Sequence, residues 1–278
     1  MTPDDPRSTA DRHSTGSDAP FFAALATLGG AYVLMIALML AAMAFYSTPR
    51  QLWEALQSPE IRYAIRLSLV SCTLTAILSL WVAVPIGYVM SRFRFPGKAA
   101  IDAALDIPIV LPLLVVGLGL LILFQTPPGK WFDLHLMRVT FAVPAVVLAQ
   151  FMVACAFAVR TMRVTFDQIS PRTEQVALTL GCGRQAAFWR VVLPEARRGV
   201  LTAATLAWAR SLGEFGPILV FAGATRMRTE VLPTTVFLEL STGNLAAAVA
   251  VSLIMVACAL VVLVLARSFG LRNMGVTG

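Results

Sequence analysis

Arg210 and Glu214 stand four residues apart in RSLGEFGPILVFAG (210–223), inside one of the most apolar parts of the chain. On a helix that spacing puts two side chains on one face. In an apolar setting such a pair has three uses: it can shape the path of an anion, hold a proton on Glu214, or neutralise itself as a packing element. Gly213, Gly216 and Pro217 fall in the same few residues, a composition suited to close packing or to a broken helix lining a cavity.

Other chemistry is sparse. The only histidines are His13 and His135, so no HExxH or other histidine-based metal site can form. No GxxxxGK[ST] and no GxSxG occurs, so neither a nucleotide-hydrolysing P-loop nor a serine nucleophile elbow is present. Cys72, Cys155, Cys182 and Cys258 are scattered, without CxxC, and read as small packing residues. No paired Asp, Ser–His or metal set is visible in the apolar segments, which argues against an intramembrane enzyme. No cofactor and no metal are expected. Energy for uphill work would come from a partner or an ion gradient.

The elements that must position Arg210 and Glu214 follow from composition. The chain is 58% hydrophobic and 13% charged, against roughly 45–50% and 25% in soluble domains. Uncharged runs long enough to cross a bilayer, about 20 residues, occupy 19–49, 67–91, 107–129, 139–159 and 240–266. The run 199–225 would be a sixth but for Arg210 and Glu214. The expectation is an all-α polytopic membrane protein with six transmembrane helices, near 21–46, 66–91, 105–126, 139–160, 199–222 and 243–267. Residues 1–20 read as a disordered cytoplasmic tail, 161–198 as a long cytoplasmic loop, and 268–278 as a second short tail. The apolar stretch at 21–46 is far longer than a signal-peptide h-region and reads as a retained first span.

With both termini inside, basic residues are about twice as frequent in the inner segments as in the outer ones, as the positive-inside rule requires. The net charge of +7 therefore reads as topology. No basic stripe interleaved with aromatics points to nucleic acid.

The charged pair is expensive in lipid. Two charges at a helix centre cost about 5–7 kcal/mol on the insertion scale, and the apolar residues of 199–223 return only some 3–5. The fifth segment must therefore face protein or water. Arg before Glu is the weaker order for an i,i+4 pair on one helix, which leaves room for a partner elsewhere.

The inner segment 160–199 is too polar to span and too patterned for a plain loop. Short helices are expected over 173–180 and 184–192, with Gly181-Cys182-Gly183 breaking the run and Pro194 ending the second helix or starting the next. Leu178, Phe188 and Trp189 would be apolar knobs. Pattern alone allows either a helix–turn–helix elbow or an amphipathic segment resting on lipid.

This segment resembles the cytoplasmic signature loop of ABC importer permeases: Glu-Ala-Ala, three residues, Gly, nine residues, Ile, one residue, Leu-Pro. Gly181 is followed at the right distances by Val191 and by Leu193-Pro194, while the Glu-Ala-Ala positions fall on Gln175, Val176 and Ala177, with Glu174 one place out of register. RSLGEFG with FAGATRMRTEVLPTTVF, and the Pro-rich DIPIVLPLLVVGLGLL (106–121), resemble the sulfate, thiosulfate and molybdate permeases. Pro217 and the stretch 222–228 depart from the molybdate pattern.

The resemblance implies a type I ABC importer permease-like fold and a permease subunit translocating a tetrahedral oxyanion, molybdate or sulfate, by alternating access. It further implies a homodimer of permeases in a prokaryotic inner membrane, cytoplasmic ABC ATPase subunits that hydrolyse the ATP, and an extracytoplasmic solute-binding protein docking around Arg226–Ser241. Gln175, Val176, Ala177, Gly181, Val191, Leu193 and Pro194 would form the ATPase contact; Arg210, Gly213, Glu214 and Gly216 would belong to the path. The alternatives are an ABC permease for another small solute, or an ion-coupled secondary transporter using Glu214.

Overall fold

A computed structural model describes residues 19–272, which form helices and connecting turns with no strand among them. Most of the expected tail at 1–20 lies outside the described residues, as does 273–278. The chain divides into two units. The first is represented by α1 (Ala19–Tyr46), apolar all round, which is the surface a bilayer covers. The second begins at Ser47.

Within the second unit, α2 (Pro49–Gln57) is a short helix whose Thr48 cap exchanges side-chain and backbone hydrogen bonds with Gln51. It leads into α3 (Pro59–Arg92). The buried residues of α3 are mostly small, among them Ala64, Ser68, Ser71, Cys72, Thr75, Ala76, Ser79, Ala83 and Gly87. Its exposed ones include Leu69, Val70, Leu74, Ile77 and Trp81. That inversion of the soluble pattern is what a membrane dictates: small residues let helix backbones approach, and bulky apolar ones meet lipid. The same small face recurs on α7 (Val143–Gln168), which buries Ala145, Ala149, Ala154, Ala156 and Ala158. The two helices pack along their length. A Cβ on Gly87 would come within 2.8 Å of Met162 Cβ, so only glycine permits this approach.

Between them the expected third span is not one rod. α4 (Lys98–Val110) and α5 (Leu113–Gln125) meet at 111°. The break lies at Leu111-Pro112, where a residue preceding proline is driven out of the helical region and Leu111 takes ψ 142°. α6 (Pro127–His135) then returns toward α7.

After α7 come α8 (Pro171–Thr179), α9 (Arg184–Ala187), a single wide π-type turn at Phe188–Val192 and α10 (Leu193–Glu195). α11 (Arg197–Leu212) and α12 (Gly216–Phe221) carry the residues of the expected fifth span, α13 (Leu232–Ser241) follows, and α14 (Leu245–Arg272) closes the chain, extending past the expected boundary at 267. α3, α7, α11 and α14 share one apolar core; a second core joins α5, α7 and α12.

Among the described residues, four helices are long and apolar enough to cross a membrane, 21–46, 59–92, 143–168 and 245–266, and a fifth if α4 and α5 count as one span. Length and composition thus support four or five of the expected six spans. The 16 residues of α11 rise only about 24 Å, short of a hydrocarbon core of roughly 30 Å, before the helix breaks.

Candidate functional site

The break in the fifth segment has a local cause. Pro217 has no N–H for the carbonyl of Gly213, and its ring would clash with that carbonyl in a continuous helix. α11 therefore stops at Leu212, and α12 restarts at Gly216 with Pro217 in its first turn, where proline is tolerated. The short α12 is pressed onto α5. A Cβ on Gly117 would lie 2.7 Å from Pro217 Cα, and one on Gly216 would meet Leu113 Cβ at 3.3 Å. Gly213 is different: it has φ −85°, and a Cβ there would meet only Arg210 O at 3.8 Å. Of the two glycines singled out in sequence, Gly216 is tightly packed and Gly213 is not.

Glu214 falls in the break, its N–H donating to Ser211 O at 3.2 Å. Its carboxylate lies 2.7 Å from Arg210 Nη1, but neither oxygen receives a well-directed hydrogen bond. The contact is an ion pair between a residue in the last turn of α11 and one beyond its end. The unfavourable order argued from a continuous helix therefore does not apply: a cation in a last turn is favoured by the helix dipole. The pair is asymmetric, since the Arg210 side chain is 26% exposed and that of Glu214 0%. The guanidinium also lies over the Phe157 ring of α7, 5.6 Å from its centroid. Glu214 is thus the sequestered counter-ion, and Arg210 is the member that reaches the surface.

Beneath the break runs a polar network that sequence reading missed. Fully buried Gln150 of α7 accepts from Thr75 Oγ1 at 3.2 Å and donates to Ser211 O at 3.2 Å. Its sequence signal was a lone glutamine in the apolar run VPAVVLAQFMVACAFAV.

A second group lies at the elbow. α8 ends in a Schellman motif: Cys182 N–H donates to Ala177 O and Gly181 N–H to Leu178 O, with Gly181 at φ +88°, as that motif requires of its C′ residue. Gln175, Val176, Gly181 and Pro194 are exposed, Val191 and Leu193 half-buried, and Ala177 buried. The wide turn at 188–192 precedes Pro194, which has no N–H for the Arg190 carbonyl. Of the expected knobs only Trp189 projects; Phe188 turns inward against Tyr88, at 4.8 Å between ring centroids, while Val176 and Leu180 are the other large apolar residues exposed here. Glu174 also points inward. It accepts a hydrogen bond from Tyr88 Oη at 2.5 Å and sits 3.5 Å from Arg92 Nε. Tyr88 and Arg92 lie on α3, far from the loop in sequence, and no local pattern marked them.

At the other end of α11 and α12, the segment 222–231 is tied down by charge. Arg226 pairs with Glu239 at 2.8 Å, and Asn244 Nδ2 donates to the same carboxylate at 3.0 Å. The Glu239 hydrogen bond holds the Arg226 guanidinium above its ordinary range. Glu230 is wholly buried and one of its oxygens has no partner. Burial pushes its carboxyl up against the opposing pull of Thr235 and Arg226. Among the described residues no three metal-ligating side chains converge.

Comparison with known proteins adds the family. The model of a family described as the binding-protein-dependent transport system inner membrane component matches residues 83–273. The sulfate transport system permease protein CysT of Escherichia coli is 32% identical over 231 residues, covering 81% of this chain and 83% of that protein. The molybdate/tungstate transport system permease protein WtpB of Thermococcus kodakarensis is 36% identical over 202 residues, 72% of this chain and 76% of that one. In fold, the chain is similar to a chain of a bacterial alginate ABC transporter crystallised with an alginate pentasaccharide-bound periplasmic protein, with TM-score 0.75 over 94% of this chain and 96% of that chain, at 16% identity. The all-α architecture is that of the type I ABC importer permeases.

Proposed function

The chain belongs to the family of inner membrane components of binding-protein-dependent transport systems, and from that premise we propose that it is the permease subunit of an ATP-driven importer of tetrahedral oxyanions. The cargo class rests on one observation: relatives covering most of the chain are named for sulfate and for molybdate or tungstate, which are tetrahedral dianions. Arg210 supports it, as a partly exposed cation at a helix break whose counter-ion is held out of reach. A proton-coupled role for Glu214 is not favoured, because members of this family are driven by a separate ATPase.

The rest of the reading follows. The elbow at 171–194, with Val176, Leu180 and Trp189 exposed around the Gly181 turn, meets a cytoplasmic ATPase subunit. An extracytoplasmic binding protein delivers the anion at the loops of Arg226–Ser241, two copies of the permease enclose the path, and both termini are cytoplasmic. Arg210 lines that path, and Glu214, Gly213 and Gly216 shape the break that presents it. Such a path holds its cargo weakly, because tight binding of a dianion would prevent its release.

The test is ATP hydrolysis by the reconstituted complex with its binding protein, supplied in turn with sulfate, thiosulfate, molybdate and tungstate. One or more of these should stimulate hydrolysis and be taken up into proteoliposomes. Stimulation by none of them, with a neutral or cationic solute active instead, would overturn the cargo class.

A further inference from the structure

Both limbs of the elbow converge on one short piece of α3. The first limb reaches it through Glu174, which accepts from Tyr88 Oη at 2.5 Å and faces Arg92 Nε at 3.5 Å, with Arg92 9% and Glu174 13% exposed in their side chains. The second reaches it through Phe188, edge-on to the same Tyr88 ring at 4.8 Å, and Arg184 lies just past its end, its guanidinium 5.7 Å from the ring centroid of Phe93. Arg92 also donates to Ile169 O at 2.9 Å, where α7 passes into the elbow. Phe166 of α7 completes the cluster edge-on to Tyr88 at 5.6 Å.

That piece of α3 follows a proline within a continuous helix. Pro85 lies inside α3, removes one backbone hydrogen bond and crowds the preceding turn, and so marks the natural bending point of the rod. Beyond it, Gly87 is locked against Met162 and Arg163 of α7, so 86–92 is fixed to the elbow and to the end of α7. On the other side of Pro85, α3 packs on α11, with Trp208 Nε1 donating to Thr73 Oγ1 at 3.3 Å.

We propose that Glu174, gripped by Tyr88 and Arg92, is a positioning residue that makes residues 86–92 of α3 move with the elbow, hinged at Pro85, and so carries the elbow's displacement to the helix packed against the Arg210 break. The inference rests on the reading of the elbow as the ATPase contact. It assigns Glu174 an inward mechanical role and leaves the outward face of α8 to Gln175 and Val176. A neutral glutamine at 174 keeps the volume but loses the Arg92 attraction, and phenylalanine at 88 keeps the ring but loses the donor.

Hydrogen–deuterium exchange on the intact permease–ATPase complex, with and without vanadate-trapped ATP, tests this without knowledge of the cargo. In the native complex, exchange should respond to nucleotide at both 171–192 and 86–92. In Glu174→Gln and in Tyr88→Phe, with ATPase recovery retained in pull-down, the elbow should still respond while the response at 86–92 falls ~5-fold or more, the lower end of ordinary coupling strengths. The double variant should lose more than either single one, because Glu174→Gln removes the Arg92 attraction and Tyr88→Phe removes the hydroxyl donor, two separate contacts. An undiminished response at 86–92 in the variants, or none there in the native complex, overturns the proposal. An elbow unaffected by the presence of the ATPase would instead overturn the docking reading beneath it.

Discussion

Gln150 donates its side-chain amide to the backbone carbonyl of Ser211 at 3.2 Å, joining the middle of α7 to the last turn of α11. The carbonyls at a helix end have no partner within the helix, and inside a membrane an unmet one is costly. Gln150 therefore helps hold open the break that Pro217 starts. Replacing it with leucine keeps the volume and removes the donor, leaving Ser211 O with the Glu214 N–H alone and Thr75 Oγ1 with the Val147 carbonyl. The expected loss is ~0.5–1.5 kcal/mol, read as a lower melting temperature in detergent. An unchanged melting temperature would mean that the break needs no support from α7.

The ion pair should respond asymmetrically. Arg210→Met strands a fully buried carboxylate, whereas Glu214→Gln leaves a cation that is partly exposed. Uncompensated buried charge costs about 3–5 kcal/mol, so the first change should lower the melting temperature more than the second. The double variant should regain stability yet remain impaired in oxyanion uptake, because the field along the path has changed. Recovery of both stability and uptake would reduce the pair to packing.

At the elbow, Gly181 and Gly183 should behave differently although both have open space around them. Gly181 has φ +88°, where any side chain costs about 1–2 kcal/mol; Gly183 has φ −67°, which alanine adopts freely. Gly183→Ala should leave ATPase pull-down and uptake intact. Gly181→Asp, straining the turn and adding charge beside exposed Leu180, should stay inserted but recover less ATPase. Equal recovery for both variants would count against the Gly181 turn as the docking tip.

Glu230 sets a pH dependence whose sign follows from its raised carboxyl, caused chiefly by burial. A group that holds its proton more tightly folded than unfolded stabilises the fold at low pH, and that contribution declines as pH rises above the ordinary carboxylate range. Glu230→Gln should remove this decline and raise the melting temperature at neutral pH relative to the native chain, with Arg226 and Glu239 left paired. A larger gain at acidic than at neutral pH would reverse the argument.

Much of this was readable along the chain, because a bilayer makes composition speak. Apolar runs of spanning length, the skew of arginines and a charged pair no lipid would accept all follow from transfer energies of individual residues. So do two of the breaks, since Gly181 and Pro217 act on the backbone within a turn of themselves; the break at Pro112, inside the expected third span, was not anticipated. The signature register of Gly181, Val191, Leu193 and Pro194 carried the family. What no linear pattern held was direction. Glu174 and Gln175 are adjacent, and only helix packing turns one toward Tyr88 and Arg92 and the other outward. Phe188 and Trp189 divide in the same way.

The sequence by itself determined the solvent, the helical class, the bends at Gly181 and Pro217 and the kinship of the chain, because each depends on local energetics or on residue order. The tertiary structure alone decided that Glu214 is sealed while Arg210 emerges, that Gln150 reaches Ser211, and that both limbs of the elbow close on Tyr88. Those relationships join residues up to roughly a hundred positions apart, and their energies exist only once helices with small faces have come together closely enough for the side chains to meet.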